Sequence, residues 1–266
     1  MSDPRDTPDP ASVITGRNAM ITVPLADLCR RPDGPRDRQL LFGAPVTILN
    51  DTSPWFLVRA QDDGYCGYLP GKATGPAEPA SHRVTSRTTH AYSEPDIKSP
   101  EVTCLSFGAR LRAASETATF VETRWGFVPR QHLHRTGVLA SDPAAVAALF
   151  LGTPYLWGGN SGTGIDCSGL IQAACRACGI PCPGDSDQQE RDLGETLPPD
   201  TRLRRNDLLF WEGHVALVTA GDMLIHANAG HMAVATEGIT DAISRIERQG
   251  DGQVTSRKRL PALPPA

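Results

Sequence analysis

The stretch YLWGGNSGTGIDCSGLIQAACRACGI, residues 155–180, carries the side chains with the most reactive potential in the chain. Cys167 falls where a glycine-rich loop meets a helix predicted over 168–178. In that helix Leu170, Ile171, Ala174, Cys175 and Cys178 share one apolar face. A helix start has unsatisfied N–H groups and about half a positive charge, both of which stabilise an anion. A thiol there is expected to ionise below the ordinary value of about 8.5. Cys167 can therefore be read as a nucleophile, as a metal or disulfide ligand, or as a small core residue.

A nucleophilic thiol needs a base, and two histidines stand in apolar runs further on: His214 in GHVALV and His226 in LIHAN. In an acyl transfer His214 takes the thiol proton and later delivers it to the leaving amine. His226 then holds the tautomer and orientation of His214, a task given to Asp or Asn elsewhere. The Cys167 N–H and the Tyr155 hydroxyl are the expected oxyanion donors. The histidines lie twelve apart across TAGDM. A three- or five-residue loop would put them on one face of a hairpin, and a two-residue Gly221-Asp222 turn on opposite faces. The looser turn is expected. A cysteine and two strand histidines also arise together by chance, so their surroundings must carry the argument.

The other cysteines offer a zinc or redox reading. A zinc site needs a fourth ligand at suitable spacing, and a redox pair belongs at a helix N-terminus. Cys175 and Cys178 lie inside the apolar helix face, and with Cys182 they are read as core. Cys29, Cys66 and Cys104 are expected to be small buried residues. No metal and no cofactor is expected. Seven cysteines is an odd number, without the spacing of a disulfide scaffold. The polar, proline-rich start MSDPRDTPDPASVITGRN has no basic region followed by an apolar one. A cytoplasmic location, where thiols stay reduced, is expected and disfavours the disulfide reading.

These residues need a scaffold. In 266 residues, 39% hydrophobic and 21% charged, there is material for two or three globular modules. A net charge of −4 with no long basic run argues against nucleic acid, and RKR at 257–259 is too short to alter that. No apolar run reaches the roughly 20 residues of a membrane span. No stretch signals an oligomeric state.

Residues 1–20 are expected to be a disordered tail. Short alternating runs then suggest small all-β barrels, and they repeat. LLFGAPVTILND (40–51) answers LSFGARLRAASE (105–116), and WFLVRAQDDGYCGYLPGKA (55–73) answers TFVETRWGFVPRQHL (119–133). The period near 60 suits two tandem units, 21–76 and 77–136. From 137 to 266 the pattern is a capped helix at SDPAAVAALFLG, the helix after Cys167, and strands DLLFW, HVALVT, MLIHAN and HMAVAT. Helices leading into a meandering antiparallel sheet make this part α+β.

Two resemblances follow from these motifs. Gly67-Tyr68-Leu69-Pro70 and Gly126-Phe127-Val128-Pro129 resemble the closing strand of bacterial SH3-like domains. Tyr-Leu-Trp-Gly-Gly, then Asp-Cys-Ser-Gly-Leu, then the Gly-His-Val and His-Ala strands, resemble the NlpC family of papain-like cell-wall peptidases, over about residues 138–240. The resemblance implies a papain-like catalytic domain after two SH3-like barrels. It also implies a cysteine endopeptidase that cuts the γ-D-glutamyl–diamino acid bond of free murein peptides and releases L-Ala-D-Glu. By the same resemblance Asp166 pairs with the substrate's α-amine and Ser168 with Ser186 binds the D-Glu carboxylate. Trp157 lines the cleft, and Tyr65 closes its far end. Each has a plainer reading: helix caps for Asp166 and Ser186, packing for Trp157, a barrel-surface ring for Tyr65. The loop DLCRRPDGP places Arg31 where related barrels carry a glutamate that helps bind the amine, and only Asp33 stands near as a substitute. Another amidase or acyltransferase chemistry on the same fold, or a non-catalytic module binding wall fragments, stays open at this point.

Overall fold

The computed structural model describes residues 3–250 and 252–263. The chain forms two compact units, one running through Val138 and taking in Ser161–Thr163, the other made of Leu139–Asn160 and the chain from Gly164. Residues 21–76 and 77–136 both fall in the first unit, each with sheets and a core of its own.

In that unit β1 (Arg17–Ile21), β2 (Leu25–Cys29), β3 (Arg36–Leu41), β4 (Pro45–Asn50), β5 (Trp55–Ala60), β6 (Cys66–Pro70) and β7 (Thr74–Pro76) pair in the order β3-β2-β6-β5-β4-β1-β7. Alternation along the strands turns Ile21, Leu28, Val46, Ile48, Val58 and Leu69 into a common core. Next come β8 (His82–Val84), β9 (Thr88–Tyr92), β10 (Glu101–Ser106), β11 (Arg110–Leu111), β12 (Ser115–Glu116), β13 (Phe120–Thr123), β14 (Gly126–Pro129) and β15 (Leu133–Arg135). They make sheets β10-β9-β14-β13-β12 and β11-β8-β15 around Val84, Leu105, Val121 and Val128. Phe42, just past β3, is buried in this second core, edge-on to Trp125 at 5.3 Å. That shared ring helps join the two halves into one unit.

Two expectations are corrected here. The tail expected over 1–20 is hydrogen-bonded structure from residue 3 on, and its first two residues lie outside the described residues. Strand β1 is clasped between β4 and β7, the Ile14 N–H donates to the Leu49 carbonyl at 2.9 Å, and Cys66 N–H donates to that of Arg5. Backbone groups pair whatever their side chains, so a polar sequence can still enter a sheet. Cys104, expected to be buried, is exposed. It lies on the edge strand β10, where a register shift between Glu101 and Thr103 breaks the in–out alternation.

The second unit is α+β. It runs α1 (Pro143–Ala148), the hairpin β16 (Asn160–Ser161, whose second residue is counted with the first unit) and β17 (Gly164–Ile165), α2 (Cys167–Ala177), α3 (Ser186–Asp192), β18 (Glu195–Thr196), β19 (Asp207–Trp211), β20 (His214–Ala220), β21 (Met223–Asn228), β22 (Ala233–Gly238), α4 (Ile239–Gln249) and β23 (Ser256–Arg259). The Asp142 side chain caps α1 by accepting from the Ala144 N–H at 3.2 Å, with Pro143 in the first turn. The sheet order is β18-β23-β19-β20-β21-β22, antiparallel throughout its pairs. The basic RKR run lies in β23, where Arg259 clasps the buried Asp207 with two hydrogen bonds of 2.9 and 2.8 Å. Helix α4, not anticipated from sequence, ends on left-handed Gly250 and buries Ala242 and Ile246 against Leu209, Trp211, Ala216, Val218 and Leu224. Among the described residues no helix is long and apolar enough to cross a membrane.

Candidate active site

Cys167 is the first residue of α2, and Asp166 is its N-cap. One Asp166 carboxylate oxygen accepts from the Gly169 N–H at 2.7 Å and the Ser168 hydroxyl at 3.1 Å, and the other from the Gly158 N–H at 2.9 Å. Loop and helix are thereby tied to one carboxylate. The loop can fold this tightly because Gly158 is left-handed, and because Gly169 has no side chain. A Cβ on Gly169 would come within 2.5 Å of the Gly159 carbonyl oxygen. Tyr155 sits on the same loop, its N–H donating to the Met232 carbonyl at 2.9 Å and its backbone bridging Ile165.

Cys167 is 6% exposed; its sulfur has the Gly213 carbonyl oxygen 3.9 Å away and the N–H groups of Val215, Ser168 and Cys167 itself as hydrogen-bond donors. Those donors favour a thiolate, but burial outweighs them and Asp166 adds to it, so the thiol is pushed up to about 12. The lowered pKa expected of a helix N-terminus is overturned by burial. Burial first, then the charges of Cys167 and Asp166, also push the Tyr155 phenol up, so it keeps its proton and remains a donor.

The residue after Gly213 is His214, which opens β20. Its Nε2 lies 3.0 Å from Nδ1 of the buried His226 on β21, with ring centroids 5.1 Å apart. Trp211 packs beside the His214 ring at 5.6 Å. Burial lowers His214 to about 3 and His226 to about 4, so both rings are neutral near pH 7. The expected looser turn does not form. Ala220 pairs with Met223 across a two-residue Gly221-Asp222 turn. The histidines nevertheless share a face, because the register shifts between Val218 and Ala220, where Thr219 is the extra residue. Continuing the register of Leu217 with Ile225 sets His226 opposite Ala216, diagonal to His214.

Beyond His226 the network continues into residues that sequence reasoning missed. Its Nε2 lies 3.2 Å from a Glu237 carboxylate oxygen on β22, and Arg245 of α4 holds that carboxylate through two hydrogen bonds, 3.0 and 2.7 Å. Period-two alternation after His226 could not reach Glu237 across a turn of unknown length. The apolar spacing of Ile239, Ala242, Ile243 and Ile246 could have revealed α4.

The remaining candidates vary in setting. Ser168 is buried, and its carbonyl accepts from Gln189 Nε2 at 2.9 Å, which fastens α3 to the first turn of α2. Ser186 begins α3 and is half-buried, the N-cap being Asp185. Trp157 is 70% exposed, so it is not a core side chain. Tyr65 lies in the first unit, buried in that core rather than on a barrel surface, with the Arg38 guanidinium 5.0 Å from its ring centre. Arg31 and Asp33 are exposed between β2 and β3, Asp33 in a left-handed conformation. Cys175 within α2, Cys178 at its C-cap and Cys182 beyond it are all buried, as expected. Among the described residues, His226, His231 and Glu237 bring three donor atoms within 4.8 Å of one another. Each donor already has a partner: His231 Nδ1 meets Asn228 Oδ1 at 3.0 Å, and Arg245 occupies Glu237. A metal cation there would face a guanidinium, so the trio fits a hydrogen-bond network better than an ion.

Comparison with known proteins agrees with this architecture. Residues 152–247 match the NlpC/P60 family, and residues 28–73 match the bacterial dipeptidyl-peptidase SH3 domain. Dipeptidyl-peptidase 6 of Lysinibacillus sphaericus is 28% identical over 241 residues, 80% of this chain and 88% of that protein. The γ-D-glutamyl-L-lysine dipeptidyl-peptidase of Bacillus subtilis (strain 168) is 28% identical over 235 residues, 79% of this chain and 78% of that one. The crystal structure of an NlpC/P60 family protein from Bacillus cereus ATCC 10987 shares the fold with a TM-score of 0.77 at 23% identity, over 93% of this chain and 100% of the other. A cysteine heading a helix, a histidine pair on the adjoining sheet and a preceding SH3 domain meet in one assignment: the chain carries an NlpC/P60 domain behind a bacterial SH3 domain and is a peptidase.

Proposed function

We propose that this peptidase hydrolyses the γ-D-glutamyl–L-diamino acid bond of free murein peptides that begin with an unblocked L-alanine, releasing L-Ala-D-Glu. The chemistry rests on one observation, Cys167 at the start of α2 with the hydrogen-bonded pair His214 and His226 opening from β20 and β21. The names of the relatives that act on γ-D-glutamyl-L-lysine support the substrate class.

In this mechanism His214 Nδ1 takes the thiol proton as the sulfur attacks the γ-carbonyl carbon of D-Glu. The Cys167 N–H and the Tyr155 hydroxyl receive the oxyanion. Collapse breaks the C–N bond, and the imidazolium gives its proton to the departing amine. His214 then deprotonates a water, which attacks the thioester, and the products are the L-Ala-D-Glu carboxylate and the regenerated thiol. Asp166 pairs with the substrate ammonium, Ser168 and Ser186 bind the D-Glu carboxylate, and Trp157 lines the cleft. Residues 77–136 serve as a second SH3-like domain beside the first at 21–76, with the peptidase domain over 137–266. Recycling of wall peptides in the cytoplasm is the setting proposed, in keeping with seven cysteines that lack scaffold spacing.

The test is to incubate the protein with L-Ala-γ-D-Glu-diaminopimelate, its L-lysine counterpart, and N-acetylated versions of both. Mass spectrometry should find L-Ala-D-Glu from the free peptides only. Equal cleavage of blocked and free peptides would remove the amine requirement, and cleavage of none would remove the substrate class. Cys167→Ala should abolish turnover with unfolding temperature retained.

A further inference from the structure

The hydrogen-bond chain behind the histidines has a direction. Glu237 sits on β22 with one oxygen 3.2 Å from His226 Nε2, and both its oxygens accept from Arg245, at 3.0 and 2.7 Å. The Arg245 bonds lower the Glu237 carboxyl from its ordinary value, so it is ionised and can only accept. His226 must then carry its proton on Nε2, which leaves Nδ1 as an acceptor. Facing that atom at 3.0 Å is His214 Nε2, which must therefore donate. The proton-free nitrogen of His214 is Nδ1, the atom a base would use.

We infer that Glu237, held by Arg245, is a positioning residue that fixes the tautomers of His226 and His214 in series and so leaves His214 Nδ1 free to accept the Cys167 proton. The part concerning Cys167 rests on the catalytic reading above; the tautomer assignment does not. The fold supplies the line-up. His226 pairs with Ala235, so Glu237, two residues on, is diagonal to it on the same sheet face, as His214 is on the other side. Leu224, which pairs with Glu237, packs under α4, and α4 lies over this face and supplies Arg245. The charged and titratable groups around His226 are His214, Glu237, Arg245 and His231, and those around His214 are His226, Glu237 and Arg245. Among these Glu237 is the one acid.

Nitrogen-15 NMR of histidine-labelled protein without substrate reads the tautomers directly. The wild type should show both rings protonated on Nε2. Glu237→Leu should lose that pattern, because the freed Arg245 turns His226 Nε2 into an acceptor. Its kcat on the free tripeptide should fall on the order of 10–100-fold, as for other residues that orient a functional histidine, with KM within about twofold. Glu237→Gln, whose amide oxygen can still accept, should restore the Nε2–H pattern and most of the rate. Nδ1–H on either ring of the wild type would overturn the inference, as would a Glu237→Leu protein with wild-type kcat. If that variant does not fold, the wild-type spectrum alone decides between the two outcomes. Because the spectrum needs no substrate, a wild type that leaves the tripeptide uncut would sink the substrate proposal and still leave the tautomers measurable.

Discussion

The Cys167 thiol lies between opposing influences. Three N–H groups and the start of α2 favour the anion, while burial and the neighbouring Asp166 favour the proton, and the proton wins. With neutral rings at His214 and His226 as well, the resting site is an uncharged pair rather than a thiolate–imidazolium pair. Proton transfer is then tied to attack on the bound substrate. Iodoacetamide at pH 7 should accordingly alkylate Cys167 more slowly than the exposed Cys104, which serves as an internal reference in the same peptide map. Asp166→Asn keeps a capping oxygen and removes the charge, so it should speed alkylation of Cys167 several-fold. Faster labelling of Cys167 than Cys104 in the wild type would show a depressed pKa instead.

Among the elements, the start of α2 and the β20–β21 hairpin do the placing. Strand parity on a two-residue turn would send His214 and His226 to opposite faces, and the extra residue Thr219 reverses it. Helix α2 approaches the loop through Gly169, where any Cβ meets the Gly159 backbone. Gly169→Ala should therefore displace the first turn, destabilise by about 1–3 kcal/mol, and lower kcat more than KM. Urea unfolding and steady-state kinetics on the same sample test this. Unchanged stability would mean the loop yields without cost.

For the whole molecule, the buried His82 and His226 and the half-buried His214 set a pH dependence. Burial lowers His82, His214 and His226, the last two to about 3 and 4. In the unfolded chain these rings take up protons below about 6.5. The unfolded state thus binds more protons than the folded one, and stability falls as pH drops from about 6.5 toward the folded values. Each ring contributes a slope of up to about 1.4 kcal/mol per pH unit in that window. Urea midpoints between pH 7 and pH 4.5 should fall steadily, and His226→Asn should flatten the curve. A midpoint that is constant or rises on acidification would contradict the burial of these rings.

The residue types and spacing alone carried the glycine-rich loop, a cysteine at a helix start, two strand histidines and an α+β domain behind β-rich repeats. All are local patterns, dictated by backbone preference and by burial of one face, and a linear chain displays them. What only the tertiary structure decided depends on contacts between distant segments. The bulge at Thr219, the burial that keeps the Cys167 proton in place, and the reach of Arg245 to Glu237 arise only when the strands and α4 pack together. Hydrogen bonding likewise drew the polar N-terminal segment into a sheet, with β1 paired on both sides, since backbone pairing is indifferent to the side-chain polarity on which the expectation of disorder rested.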